Sequence, residues 1–205
     1  MNVIGLDLSL NGTGICIDDH AAFTVLGKTA DGDGRLVRIE DAVAYYIGHA
    51  RPALAVVEGL PFGNNDRQVA LVHGAARVAL ARAHVPYTYI YPTTLKLFAV
   101  GDGAADKQAL AQEAFRLGAN PRFDLDQTDA WWLRRAGLAA VGQVPMTTEQ
   151  AETLGHVQWP TIVKAYGELP RKAVIKKCRH QIMSLANAGG WIHPFSATRC
   201  DKPPR

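Results

Sequence analysis

The first apolar run of the chain, MNVIGLDLSL, carries a carboxylate, Asp7, in its middle. The run reads as a short buried β-strand of the kind found inside a sheet covered on both faces. An unpaired buried carboxylate costs several kcal/mol, so Asp7 needs a partner, a metal or a functional reason to be there. A second run of the same character, ALAVVEG at 53–59, ends on another acid, Glu58. If the two strands are neighbours that finish near one sheet edge, the two carboxylates converge there.

The remaining pattern supplies a sheet for them. TGICID at 13–18 and AFTVLGK at 22–28 read as two further strands, the first returning antiparallel to the opening one. The turn DGDG at 31–34 leads into a helix over about 35–50, with Leu36, Ile39, Val43 and Ile47 at helical spacing. A long helix over 64–84 precedes a strand, YTYIY at 87–91, which Pro92 stops. Helices over 93–99 and 104–117 flank VGDG; after Gly118 and Pro121 a last core helix runs over about 127–141. Three consecutive strands followed by helical crossovers predict an α/β fold: a mixed five-stranded sheet flanked by helices, of ribonuclease H-like type. The same order fits half of an actin-like ATPase, so the fold by itself selects no function.

Asp126 and Asp129 lie three apart at the start of that last helix. This spacing puts both on one face, about 5–6 Å apart at Cβ, where the helix dipole favours negative charge. Taken alone they also read as ordinary helix capping. Pointed at Asp7 and Glu58, they make a nest of four carboxylates that repels itself unless cations fill it. Oxygen-only ligands select hard ions, Mg²⁺ or Mn²⁺. Two such ions about 3.5–4 Å apart can activate a water and stabilise the leaving oxygen of a phosphodiester.

Four segments, in order over residues 1 to about 141, resemble the RuvC Holliday-junction resolvases of the ribonuclease H-like superfamily. They are IGLDLSLNGTGIC, VVEGLPFGNNDRQVALVHGAARVAL, YPTTLKLFAVGDGAADKQALAQ and DQTDAWWLRRAG. The resemblance implies a structure-selective endonuclease for Holliday junctions and other branched DNA, working by two-metal-ion hydrolysis. It implies that Asp7, Glu58, Asp126 and Asp129 bind the metals, that Lys107 lies near the scissile phosphate, and that Lys96 contacts DNA. The family's aromatic after the second acid, which stacks on bases near the crossover, falls within about one position of Phe62; Arg67 in the same segment is a further candidate for DNA contact. LPFGNN is richer in Gly and Asn than expected, which points to a different reading of substrate. A homodimer is expected, because a four-way junction is nearly twofold and needs two symmetric cuts. The helix over 64–84, with the small residues Gly74, Ala75 and Ala79, is the expected seam.

The chain divides on this reading into a nuclease domain, 1–141, and a basic, largely helical extension, 142–205, about which the resemblance says nothing. Residues 1–136 hold 13 Lys+Arg against 15 Asp+Glu, and residues 137–205 hold 9 against 4, so the whole basic excess lies in the last third. Helices are expected over 147–166, with Thr147 and Gln150 as a capping box, and over 170–187. In the second, Lys172, Lys176 and Arg179 share one side; they are either a polyanion contact or a solvated face. A trailing tail follows from Gly189. Such additions suit bacteriophage-encoded members. Three cysteines, Cys16, Cys178 and Cys200, with no CxxC pair, suggest neither a disulfide framework nor zinc. No apolar run is long enough to span a bilayer and no signal-peptide pattern opens the chain, so a cytoplasmic location is expected, that of the host if phage-encoded.

Other features have plainer readings. Trp131 and Trp132 are expected to include at least one core residue, and His73 to be structural or interfacial. GDG at 101–103 is either a phosphate cradle or a helix–helix turn. An actin-like phosphotransferase needs a second phosphate loop and a second similar domain, and neither is seen; no nucleotide cofactor is expected. A non-catalytic junction binder gains nothing from four acids near phosphates. A nuclease for flaps or RNA–DNA hybrids stays open.

Overall fold

The computed structural model describes residues 1–28, 31–60 and 67–166. Its strands are β1 (Val3–Asp7), β2 (Gly12–Cys16), β3 (Ala22–Leu26), β4 (Leu54–Glu58) and β5 (Tyr87–Ile90). They form one sheet in the order β3-β2-β1-β4-β5, antiparallel from β3 to β1 and parallel from β1 to β5. The helices are α1 (Gly34–Ala50), α2 (Arg67–Arg82), α3 (Pro92–Val100), α4 (Lys107–Arg116), α5 (Leu125–Ala140), α6 (Thr148–Gly155) and α7 (Thr161–Tyr166). This is the mixed five-stranded sheet flanked by helices that the sequence predicts.

Alternation along β1 and β4 splits the core in two. Ile4, Leu6, Ala55 and Val57 pack with Ile39, Val43 and Ile47 of α1 and with Val72, Ala76 and Leu80 of α2. Val3, Leu54 and Val56 face the other way, onto α5 and the helices around it. Strands buried on both faces have no polar side to show, which is why both read as unbroken apolar runs.

Helix α5 is the centre of the second layer. Trp131 and Trp132 are both fully buried, and their indole N–H groups donate to the Asp19 carboxylate and the Leu110 carbonyl, each at 3.0 Å. Neither is available to DNA. His73 is buried beside Tyr89, a structural histidine whose pKa is lowered by burial and by Arg77. Gly101 caps α3 in the left-handed conformation (φ 76°), so GDG serves as a helix–helix turn. Cys16 is buried and free.

The helix expected over 147–166 is two helices. Its capping box is present, with Gln150 N–H donating to Thr147 and the Gln150 side chain accepting from Thr147 N–H. Yet α6 closes at Gly155, and Pro160, which has no N–H to donate, precedes a fresh start at Thr161. Leu154, Val157, Trp159 and Val163 belong to the α5-side core. Gln150 donates to the Phe98 carbonyl at 2.8 Å and Thr88 to the Gln158 carbonyl at 2.7 Å, tying this segment to α3 and β5. The second helix expected in the extension, 170–187, lies outside the described residues.

Candidate functional site

Register brings the first two acids together. Leu6 pairs with Val57 in the parallel β1–β4 ladder, so the next step sets Asp7 beside Glu58. Both share parity with Val3 and Val56, and so both face α5. Open α/β sheets place their sites at the carboxyl ends of such strands.

Glycines bring in the other two. A Cβ on Gly5 would lie 1.9 Å from the Ala130 carbonyl oxygen, and one on Gly14 would lie 2.2 Å from that of Asp126. On Gly12 it would lie 2.4 Å from the Asp126 carboxylate itself. Their hydrogens let the first turns of α5 lie directly on β1 and β2, and Gly14 stands opposite Asp7 in the antiparallel register. The helix is started by Asp124, whose side chain accepts from Gln127 N–H at 2.8 Å in a capping box and from the Thr24 hydroxyl at 2.7 Å. Asp126 and Asp129 are therefore not the cap. They are carried on the helix face that meets the sheet edge.

Burial sorts the four acids. Asp7 is only 4% exposed. Burial, then the adjacent Glu58 charge, hold its pKa well above the ordinary carboxylate range, and a side-chain hydrogen bond with Glu58 adds to the rise. Burial also raises Glu58, opposed by the hydrogen bond from Asp7. Burial raises Asp129, opposed by Lys107, whose ammonium donates to it at 2.8 Å and lies 3.7 Å from Asp126. Burial alone would lower the Lys107 ammonium; the Asp129 hydrogen bond and the charges of Asp129, Asp7 and Asp126 outweigh it and hold it above its ordinary value. A lysine in the first turn of α4 opposes that helix's dipole. The acids, not the helix, account for its place there.

Asp7, Glu58, Asp126, Asp129 and Lys107 thus meet at one edge, and Lys96 is close enough to lower Asp129 electrostatically. The acids are neighbours rather than a closed cage: among the described residues, no three acidic, histidine or cysteine side chains converge tightly enough to hold an ion as they stand. Their chemistry fits a hard divalent cation, since every donor is a carboxylate oxygen and burial leaves the innermost pair short of compensating charge. Arg67 is exposed at the start of α2. Phe62, Lys172, Lys176 and Arg179 lie outside the described residues. Sequence reading missed the Asp124 cap and the glycine bed. The signal for the bed was there: Gly12 and Gly14 alternate on one strand face, and Gly5 lies two residues before Asp7 on the next.

No family model matches the chain. The RuvC crossover junction endodeoxyribonuclease of Sorangium cellulosum (strain So ce56) is 33% identical over 160 residues, covering 69% of this chain and 87% of that protein. The RuvC of Anaeromyxobacter dehalogenans (strain 2CP-C) is 37% identical over 143 residues, covering 63% and 76%. In fold the chain is similar to the Thermus thermophilus RuvC structure (TM-score 0.58, 23% identity, 72% of this chain and 100% of that one). It is similar also to T. thermophilus RuvC in complex with Holliday junction substrate (TM-score 0.57, 22% identity, 65% and 90%). Among the described residues no helix is long and apolar enough to cross a membrane. With the four-acid edge on the sheet and a relative matched over most of its length, the chain belongs to the RuvC family of crossover junction endodeoxyribonucleases.

Proposed function

We propose that this chain is a Mg²⁺-dependent endonuclease, with Mn²⁺ able to substitute, that cuts Holliday junctions and related branched DNA. The observation that carries the reading is the side-by-side placement of Asp7 and Glu58 at the ends of parallel neighbours, faced by Asp126 and Asp129 from the start of α5. Those four residues would hold two metal ions. Ions so held supply an activated water and stabilise the leaving oxygen of a phosphodiester. Lys107, already poised over the acids, counters charge developing on the phosphate. Lys96 adds a phosphate contact, and Arg67 extends the basic rim. Burial on both sides of the sheet holds the acids in place while the chemistry proceeds.

The family relationship favours junctions over flaps or hybrids, since the similar proteins are crossover junction endodeoxyribonucleases. A panel of labelled four-way, three-way, flap, hybrid and linear substrates with Mg²⁺ or Mn²⁺ tests it. Cutting is expected to favour the four-way form and to vanish in Asp7→Asn, Glu58→Gln and Asp126→Asn while binding persists. Cutting retained in all three would sink the assignment. The active form on this reading is a homodimer. Exposed Leu71 and Val78, one helical stripe with Gly74 on α2, offer a seam, and light scattering showing a monomer with and without junction would contradict it.

A further inference from the structure

Gln150 is the third residue of α6, in the part of the chain beyond 141 to which the family resemblance assigns nothing. Its side chain reaches two helix ends at once. The amide oxygen accepts from Thr147 N–H at 2.9 Å, closing the capping box that starts α6. The amide nitrogen donates to the Phe98 carbonyl at 2.8 Å, in the last turn of α3. That carbonyl is one of the four at a helix C-terminus that have no partner inside the helix. A carbonyl can only accept and an N–H can only donate, so a neutral amide suits both partners and a carboxylate does not. Capping boxes take Glu as readily as Gln at this position, and Glu would suit the positive end of the α6 dipole better. Glutamate could hold Thr147 but would set a charge against the Phe98 carbonyl. Gln150 therefore forgoes a local stabilisation of its own helix and secures a second one, a pattern expected where function adds a demand.

The tie matters because of what α3 carries. The helix has nine residues, too few to be stable alone, so its neighbours must hold it. Leu95, Phe98 and Ala99 form its buried face. The Phe98 ring meets Trp132 of α5 edge-on, at 6.1 Å and 87°. Phe98 is thus gripped twice, by α5 through its ring and by α6 through its carbonyl. Lys96 stands two residues before Phe98, and Asp129 three before Trp132. Lys96 acts on Asp129 electrostatically, so the seat of α3 on α5 decides how this ammonium stands to the acids. The strand that leads into α3 is tied to the same segment, since the Thr88 hydroxyl of β5 donates to the Gln158 carbonyl at 2.7 Å.

We propose that Gln150 is a positioning residue for DNA binding: by tying the C-terminal end of α3 to α6 it fixes Lys96 at the rim of the four-acid edge, where the ammonium meets a phosphate. A long side chain on a loosened helix must be ordered at the moment of binding, and that cost weakens the contact. Lys107 needs no such tie, because Asp129 holds it directly. The inference rests on the branched-DNA reading of the site and on the phosphate contact given there to Lys96.

The test uses the full-length protein with Gln150→Glu, Thr147→Ala and Lys96→Ala, and Gln150→Glu combined with Lys96→Ala. Affinity for a four-way junction is measured in Ca²⁺ across a salt series, with thermal melts in EDTA and single-turnover cleavage in Mg²⁺ at saturating junction. Gln150→Glu keeps the capping box and loses the tie. It is expected to bind the junction about fivefold more weakly, within the range of one hydrogen bond, with the salt slope reduced toward that of Lys96→Ala. Its cleavage rate at saturation stays within about twofold of wild type, since affinity and not chemistry is affected. In the Lys96→Ala background the same change is expected to cost nothing further, whereas plain repulsion between the new charge and DNA would persist there. Thr147→Ala removes the cap but leaves the tie, so it lowers Tm and spares affinity. Wild-type affinity in Gln150→Glu, an undiminished loss in the Lys96→Ala background, or an equal loss in Thr147→Ala overturns the positioning role and leaves the nuclease assignment intact. Unchanged affinity and slope in Lys96→Ala overturn both the phosphate contact and the role built on it. A wild-type protein that neither binds nor cuts the junction overturns the nuclease reading as well. Should Gln150→Glu fail to fold, Gln150→Met, of similar length with neither donor nor charge, takes its place with the same expectations.

Discussion

Gly14→Ala should disable the protein without touching a functional group. The added Cβ would lie 2.2 Å from the Asp126 carbonyl oxygen and 2.7 Å from its carbonyl carbon. Ordinary contact begins at 3.4 Å, so the start of α5 must retreat by about 1.2 Å, or β2 must yield. The obstructing atoms are backbone and cannot rotate aside, and α5 buries eleven residues, so it cannot shift as a rod without opening the core. Overpacking of this kind costs about 1–3 kcal/mol. For a chain of this size that lowers Tm by roughly 2–10 °C. The retreat carries Asp126 and Asp129 away from Asp7 and Glu58, and a misplacement near 1 Å costs about 100-fold in rate.

Thermal melts in EDTA and single-turnover junction cleavage are the assays, with Gly48→Ala as control. Gly48 has open space around the position of a Cβ and lies inside α1, so alanine there should stabilise by about 0.5–1 kcal/mol and leave the rate alone. If Gly14→Ala melts within a degree of wild type and cuts at its rate, α5 is not seated on the glycine bed and the account of how the acids meet is wrong.

Asp7→Asn should stabilise the protein in EDTA. Its folded pKa is raised, so the folded state holds the proton more tightly, and stability is lost as pH climbs from about 4, the unfolded value, through the raised folded one. Asparagine removes that loss, for a gain of roughly 1–2 kcal/mol at neutral pH and a flatter dependence of Tm on pH; a lower Tm than wild type at pH 7.5 would refute the burial argument. Lys96→Ala should weaken junction binding and reduce the salt slope by about one, whereas Lys107→Ala should slow single-turnover cleavage about 100-fold with little change in affinity; loss of affinity alone in the latter removes its assigned role. Truncation after Tyr166 removes 8 Lys+Arg and 2 Asp+Glu, a net +6, and should weaken binding to every DNA form with a shallower salt slope; unchanged affinity and slope would separate the extension from DNA. Ending the chain at Gly142 is not an equivalent cut, because it strips Leu154, Val157, Trp159 and Val163 from the core.

Much of this was legible in the sequence, because each acid is placed by a periodic rule. Glu58 ends one apolar run and Asp7 interrupts another, and a parallel sheet leaves such runs few ways to align; that β1 itself stops at Asp7 is seen only in the fold. Asp126 and Asp129 are placed by helical spacing. What could not be read is which acids cap and which act: Asp124, Asp126 and Asp129 look alike in sequence, and only the Gln127 hydrogen bonds single out Asp124 as the cap. The break between α6 and α7 is marked by Pro160, but the burial of Trp159 beyond it depends on tertiary packing against distant residues.

The placement of the four acids is set by backbone: by strand register for one pair, by helix periodicity for the other, and by glycines that fix the distance between the two. Chemistry and geometry are therefore separable by mutation. Asp7→Asn keeps the arrangement and removes one of the acids proposed to bind metal; Gly14→Ala keeps all four acids and moves two of them. If both act only through the same site, the double variant should cut no more slowly than Asp7→Asn alone, because placement no longer matters once the site cannot act. Fully additive losses in single-turnover rate would mean that Gly14→Ala harms a second step, such as junction binding, and that the glycine bed does more than position Asp126 and Asp129.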